Sequence, residues 1–258
     1  MSRISERMKR LRARGQKALI GFVTAGDPNL DRTVEIALDL ERGGVDVLEL
    51  GVPFSDPLAD GPVIQRASER ALRRGTTFAS VLGVVGRIRA RSDLPLLLFT
   101  YVNPVMRFGM ERAAQASRKA GADGVLLTDM PPEEAGDWLG IARGEGLDTV
   151  FLAAPTSPKP RLKRAAEASS GFVYAVSRTG VTGETLNLSA DAGPLVAQLR
   201  ALTSEPVVLG FGISTPRQVA EAASIADGAV VGTALVRFIE EHPDGDMAEK
   251  ARWFRSGL

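Results

Sequence analysis

The sequence predicts an α/β fold: a single (β/α)8 barrel preceded by an additional N-terminal helix. Three observations carry this. Short apolar runs alternate with amphipathic stretches along 258 residues, at about one strand–helix unit per 32 residues, which is roughly the length such a unit needs. The runs are near-continuously apolar, as strands covered on both faces of a parallel sheet must be. No Gly-x-Gly-x-x-Gly follows the first run, which disfavours an open, doubly wound sheet. A TIM barrel typically takes about 250 residues, so one domain, residues 1–258, accounts for the whole chain.

The elements follow in order. Residues 1–15 read as the additional helix, placed to close the barrel floor. Candidate strands are 18–24, 45–50, 95–101, 123–128, 148–153, 171–177, 206–211 and 227–231. Between them Thr33–Leu40, Phe78–Arg89, Arg112–Ala120, Pro160–Ala168 and Arg217–Ser224 repeat apolar residues every three to four positions, the helical period. Residues 247–256 read as a last helix packing Trp253 and Phe254 inward. A faint repeat links Gly43-Gly44-Val45-Asp46, Gly121-Ala122-Asp123-Gly124 and Ile225-Ala226-Asp227-Gly228: a helix end, an Asp, then a buried strand.

Composition removes several classes of function. With 32 basic and 31 acidic residues there is no electrostatic footprint for nucleic acid. No apolar run nears the length of about 20 residues that spans a bilayer, and the charged N-terminus is no secretory signal. Cys is absent, which excludes disulfides, thiolate metal sites and a Cys nucleophile and fits a cytoplasmic location. The lone His242 leaves neither a Ser-His-Asp triad nor a His zinc pair, so no metal is expected. Lys9, Lys17, Lys119, Lys159, Lys163 and Lys250 all avoid the C-terminal ends of the candidate strands, which disfavours a Schiff-base aldolase. No flavin or nicotinamide fingerprint is visible. What remains is cofactor-free acid–base chemistry on a phosphorylated small molecule.

In such a barrel the active face is at the C-terminal ends of the strands. Glu49 stands inside the second apolar run, between Leu48 and Leu50. A carboxyl there is either paired with Arg as a structural element, or kept at a raised pKa suited to giving and taking a proton. Asp60 ends a Pro- and Gly-rich loop just before a helical run near Pro62. It is either a helix N-terminal Asp or the partner of Glu49 in an acid–base pair. Thr182-Gly183, Gly212-Ile213-Ser214 and Gly232-Thr233 follow the last strands, where phosphate sites form in this fold.

The run Leu48-Glu49-Leu50-Gly51-Val52-Pro53-Phe54-Ser55-Asp56-Pro57-Leu58-Ala59-Asp60-Gly61-Pro62-Val63-Ile64-Gln65 resembles the signature of the tryptophan synthase α-subunit family. Gly21–Pro28, Tyr101-Val102-Asn103-Pro104, Asp129-Met130-Pro131, Ser177–Gly183 and Gly210–Ser214 extend the resemblance, in order, over nearly the whole chain. It implies retro-aldol cleavage of indole-3-glycerol phosphate to indole and glyceraldehyde 3-phosphate. Glu49 would be the central acid–base and Asp60 would act at the indole nitrogen. Phe22, Phe99, Tyr101, Leu126, Tyr174, Arg178, Thr182, Gly183, Phe211, Gly212, Ile213, Gly232 and Thr233 would bind substrate. Thr233, Thr128 and Val63 depart from the family pattern, which has Ser, a small apolar residue and Thr at these places. The resemblance also implies a partner, a β subunit that takes up indole in an α2β2 heterotetramer, met around Asp56, Pro57, Asn103 and Pro104. Pyridoxal phosphate would be on that partner and no cofactor on this chain. A stand-alone lyase, a non-catalytic activator subunit and another phosphate-binding barrel such as a sugar-phosphate isomerase are the competing readings.

Overall fold

The computed structural model describes residues 1–176, 190–210 and 212–258. The chain runs α1 (Arg3–Ala13), β1 (Ala18–Thr24), α2 (Leu30–Arg42), β2 (Val47–Gly51), α3 (Pro62–Arg73), α4 (Phe78–Arg89) and β3 (Leu96–Thr100). It continues through α5 (Val102–Phe108), α6 (Met110–Ala120), β4 (Gly124–Leu127), α7 (Gly136–Gly144), β5 (Asp148–Thr149), β6 (Leu152–Ala153) and α8 (Lys159–Ala168). Then come β7 (Val173–Val176), α9 (Ala192–Arg200), β8 (Val207–Gly210), α10 (Pro216–Ile225), β9 (Gly228–Val231), α11 (Thr233–Glu241) and α12 (Met247–Arg255).

The paired strands are parallel, in the order β5-β4-β3-β2-β1-β9-β8-β7-β6. The two ends of that order, β5 and β6, are halves of one run, Asp148–Ala153. The first half pairs with β4 and the second with β7. The sheet therefore closes into an eight-membered ring through one broken strand. Val150 N donates to Val125 O at 3.5 Å on one side, and Tyr174 N donates to Phe151 O at 3.2 Å on the other.

Alternation along each strand sorts the apolar residues into two cores. Ile20, Phe22, Val47, Leu97, Phe99, Leu126, Tyr174, Val208 and Val230 fill the barrel interior. Leu19, Val23, Leu48, Leu50, Leu96, Leu98 and Leu209 face outward and pack under the helices. α1 caps the floor as expected, inserting Ile4, Met8 and Leu11 into the interior core. α12 buries Phe254 but leaves Trp253 43% exposed, so only one of the two expected aromatics turns inward. Neighbours on a helix point about 100° apart, and one narrow apolar face cannot hold both.

The three-fold repeat acquires a physical role. Asp46, Asp123 and Asp227 each donate a backbone N–H to a carbonyl of an adjacent strand, Leu19 O at 2.8 Å, Leu96 O at 2.9 Å and Val207 O at 2.7 Å. Each carboxylate takes back the amide of that same residue, Leu19 N at 3.0 Å, Leu96 N at 2.9 Å and Val207 N at 2.9 Å. The strand entries at the floor are stitched pairwise in this way. Arginines complete the carboxylates: Arg7 and Arg255 on Asp46, Arg3 and Arg89 on Asp123, and Arg200 on Asp227.

Candidate active site

Glu49 is the middle residue of β2 and takes the inward parity of Val47 and Gly51. In register it lies between Phe22 of β1 and Leu97 of β3. Its neighbours on the two flanking strands are therefore hydrocarbon side chains. It is 1% exposed, and its Oε1 meets no hydrogen-bond partner among the described residues. Burial without a counter-ion pushes its carboxyl up to about 8. The Arg pairing that a structural role would require is absent from Glu49 among the described residues.

Asp60 reaches the same cavity from the loop between β2 and α3. Pro62 starts α3, with Gly61 as its N-cap, and no side chain supplies that cap. Asp60 is thus not spent on capping. Its backbone is held by Asp60 N donating to Pro57 O at 3.0 Å and Gln65 Nε2 donating to Asp60 O at 2.8 Å. The Tyr101 hydroxyl accepts from Ala59 N at 3.1 Å and donates to Asp60 Oδ2 at 3.1 Å. Burial raises the Asp60 carboxyl to about 6, and the hydrogen bond from Tyr101 opposes the rise. Burial and the neighbouring Asp60 charge raise the Tyr101 phenol, so it remains a donor.

The cavity is lined by Phe22, Glu49, Asp60, Ile64, Phe99, Tyr174, Gly212, Ile213, Val230, Gly232 and Thr233. Phe22 and Phe99 meet edge to face, with centroids 5.2 Å apart and planes 76° apart, and form an aromatic corner of the cavity. Two glycines make room for the rings. A Cβ on Gly51 would lie 2.6 Å from Phe22 Cζ, and one on Gly210 would collide with the Tyr174 hydroxyl. Gly232 and Thr233 open α11, whose N-terminus has no side-chain cap. Its first backbone N–H groups and the Thr233 hydroxyl are available to an anion.

Of the sequence-derived site residues, Glu49, Asp60, Phe22, Phe99, Tyr174, Gly212, Ile213, Gly232 and Thr233 come together around this cavity. Tyr101 stands behind Asp60 rather than on the wall. Leu126 is fully buried in the interior core beside Phe99 and is not part of the lining. Arg178, Thr182, Gly183 and Phe211 lie outside the described residues. Ile64 and Val230 line the cavity without having been singled out from sequence. Both are ordinary apolar residues, and only the inward parity of the strand and the buried face of the helix after Pro62 could have marked them.

The tryptophan synthase alpha chain family model matches residues 8–255. A tryptophan synthase alpha chain of Solibacter usitatus is 53% identical over 249 residues, covering 96% of this chain and 93% of its own. One of Geobacter sp. strain M21 is 48% identical over 258 residues, covering 100% and 97%. Among solved structures, Mycobacterium tuberculosis tryptophan synthase superposes with a TM-score of 0.93 at 38% identity, covering 100% of this chain and 98% of that one. The alpha subunit from Legionella pneumophila superposes with a TM-score of 0.89 at 35% identity, covering 100% and 97%. The chain belongs to the tryptophan synthase alpha chain family, lyases that cleave indole-3-glycerol phosphate.

Proposed function

We propose that Glu49 and Asp60 carry this cleavage, with their opposite protonation states set by their surroundings. The observation that carries the reading is the pair itself: one carboxyl raised to about 8 and one to about 6 on the wall of a single cavity. Between those values Glu49 holds its proton and Asp60 has lost its own, the split that acid–base pairs exploit. Glu49 delivers its proton to indole C3, and the ring nitrogen becomes cationic. The Asp60 carboxylate accepts a hydrogen bond from the indole N–H and stabilises that charge. Glu49, now a carboxylate, removes the proton of the hydroxyl on the adjacent glycerol carbon. The C–C bond breaks, its electron pair restores the indole ring, and the hydroxyl carbon leaves as the aldehyde of glyceraldehyde 3-phosphate. Glu49 ends protonated, as it began.

Phe22 and Phe99 supply aromatic surface for an indole, and the N-terminus of α11 with Gly212 and Thr233 supplies the phosphate end. Arg178, Thr182, Gly183 and Phe211 complete the substrate site in this reading, with Tyr174 beside Glu49. The aromatic wall favours this substrate over a bare sugar phosphate, and the intact acid–base pair weighs against a non-catalytic activator.

The same reading gives the chain a β-subunit partner, with pyridoxal phosphate bound there, and a cytoplasmic location. Among the described residues no helix is long and apolar enough to cross a membrane. Asp56 and Asn103 are exposed, and Pro57 and Pro104 half-buried; the first pair is on the loop between β2 and α3 and the second is in the first turn of α5. Leu58 beside the first pair is 86% exposed and Met106 beside the second is 61% exposed. Large apolar side chains open to water next to the mouth suit a protein interface. The test is release of glyceraldehyde 3-phosphate from indole-3-glycerol phosphate, with and without a cognate β subunit. Slow release that rises on adding β supports the whole reading, and equally fast release alone favours a stand-alone lyase. No release in either case removes the roles given to Glu49 and Asp60.

A further inference from the structure

Two helices that contribute to the cavity wall, α3 and α11, are tied together away from it. α3 begins two residues after Asp60 and places Ile64 on the cavity wall, while α11 begins at Thr233. Arg70 of α3 donates Nε and Nη2 to the two carboxylate oxygens of Asp27 at 2.9 and 2.7 Å, and Nη1 to Glu240 Oε1 at 2.7 Å. Arg66, one turn earlier, forms a second bidentate pair with Glu240 at 2.9 and 2.8 Å. Asp27 is buried and belongs to the loop after β1, and Glu240 is on the last turn of α11. One guanidinium thus joins three segments of the barrel mouth, a task that needs its planar fork.

At about 1.5 Å per residue, Arg70 is roughly 9 Å behind Ile64 and Glu240 roughly 10 Å behind Thr233. The Arg70–Glu240 contact is therefore about two turns along each helix from the residues that line the cavity. What it fixes is the lateral placement of two helix starts, one next to Asp60 and one at the anion end.

We propose that Arg70 is a positioning residue for the cleavage: by locking α3 to α11 through Asp27 and Glu240, it sets the span between Asp60 and the phosphate end of the cavity. This rests on the reading of Gly232 and Thr233 as that end. A span matters to a ligand that engages both ends and not to one that engages the phosphate end alone. The test uses the full chain with its β partner. It compares KM for indole-3-glycerol phosphate with the Kd of glycerol 3-phosphate as a phosphate-end probe. Glu240→Ala cuts the α11 half of the joint and keeps the Asp27–Arg70 pair, so the buried Asp27 stays compensated; Arg70→Lys is the second variant.

The expected result is that KM rises about tenfold in both variants, the size of one weakened contact in two-ended binding, while the Kd changes less than twofold. Thr233→Ala weakens glycerol 3-phosphate at least fivefold. Unchanged KM with a lowered Tm would overturn the proposal and leave the joint a purely structural brace. KM and Kd rising together would also overturn it, because the joint would then merely hold the anion site. If Thr233→Ala leaves the probe's Kd unchanged, the phosphate-end reading fails and the proposal fails with it.

Discussion

Asp46 and Asp123 at the barrel floor are as buried as Glu49 and Asp60 at its mouth, yet the two pairs have opposite surroundings. The floor carboxylates each hold a backbone amide of a neighbouring strand and two arginines. Glu49 and Asp60 have no ion pair among the described residues; Asp60 has one phenol, and Glu49 Oε1 has no partner. Asp148 is intermediate: it sits at the floor with hydroxyl partners from Ser2 and Ser5, and burial raises its carboxyl. The same functional group buried to the same depth is structural where its hydrogen bonds are supplied and reactive where they are withheld. An unsatisfied buried carboxyl has a pKa moved toward the working range.

The largest expected effect is that of Glu49→Gln. Turnover falls by about 10³-fold or more, as loss of a residue that is both acid and base requires. The fold should gain, not lose, stability. The Glu49 carboxyl sits at about 8 when folded against an ordinary 4.5. The folded state binds the extra proton between those values, so stability falls as pH rises through that window. Glutamine carries no such penalty, so Tm rises by a few degrees at pH 8 and by less at pH 5. A lower Tm at pH 8 would contradict the claim that Glu49 is held against its own ionisation. Asp60→Asn should lower kcat by about 10²-fold, the usual cost of one charge-stabilising group, with glycerol 3-phosphate affinity nearly kept. Equal loss of both would move Asp60 to the phosphate end.

Asp123→Ala probes the other half of the comparison. Breaking a buried, arginine-paired carboxylate costs about 3–5 kcal/mol, read by denaturant unfolding, while turnover per folded molecule stays near wild type. Lost turnover at full stability would put the floor in the mechanism. The smallest effect is expected for Tyr101→Phe, about tenfold or less in kcat/KM. The Tyr101 hydrogen bond holds the Asp60 carboxyl down, so its removal moves the acid limb of the rate profile to higher pH.

The strands were legible because each is buried on both faces and so reads as a continuous apolar run; β1 and β3 fall inside the expected ranges. The break between β5 and β6 was not, since it arises from pairing with two different neighbours at the closure of the ring. Glu49 stood out in sequence because a carboxylate interrupts an apolar strand. The repeated Asp at the floor was visible as a pattern, but its double link to Leu19, Leu96 and Val207 needed the register of adjacent strands. The joint through Asp27, Arg70 and Glu240 left no trace, because its members are 43 and 170 residues apart and look like ordinary surface charges.

The separation of the two mouth carboxylates is tested most directly by the pH dependence of kcat/KM for indole-3-glycerol phosphate in the wild-type chain. Asp60 must be ionised and Glu49 protonated, so the profile should rise through about 6, fall through about 8 and peak between them. A profile flat from pH 5 to 9, or an acid limb that persists unchanged in Asp60→Asn, would contradict the assignment of base and acid to these two residues.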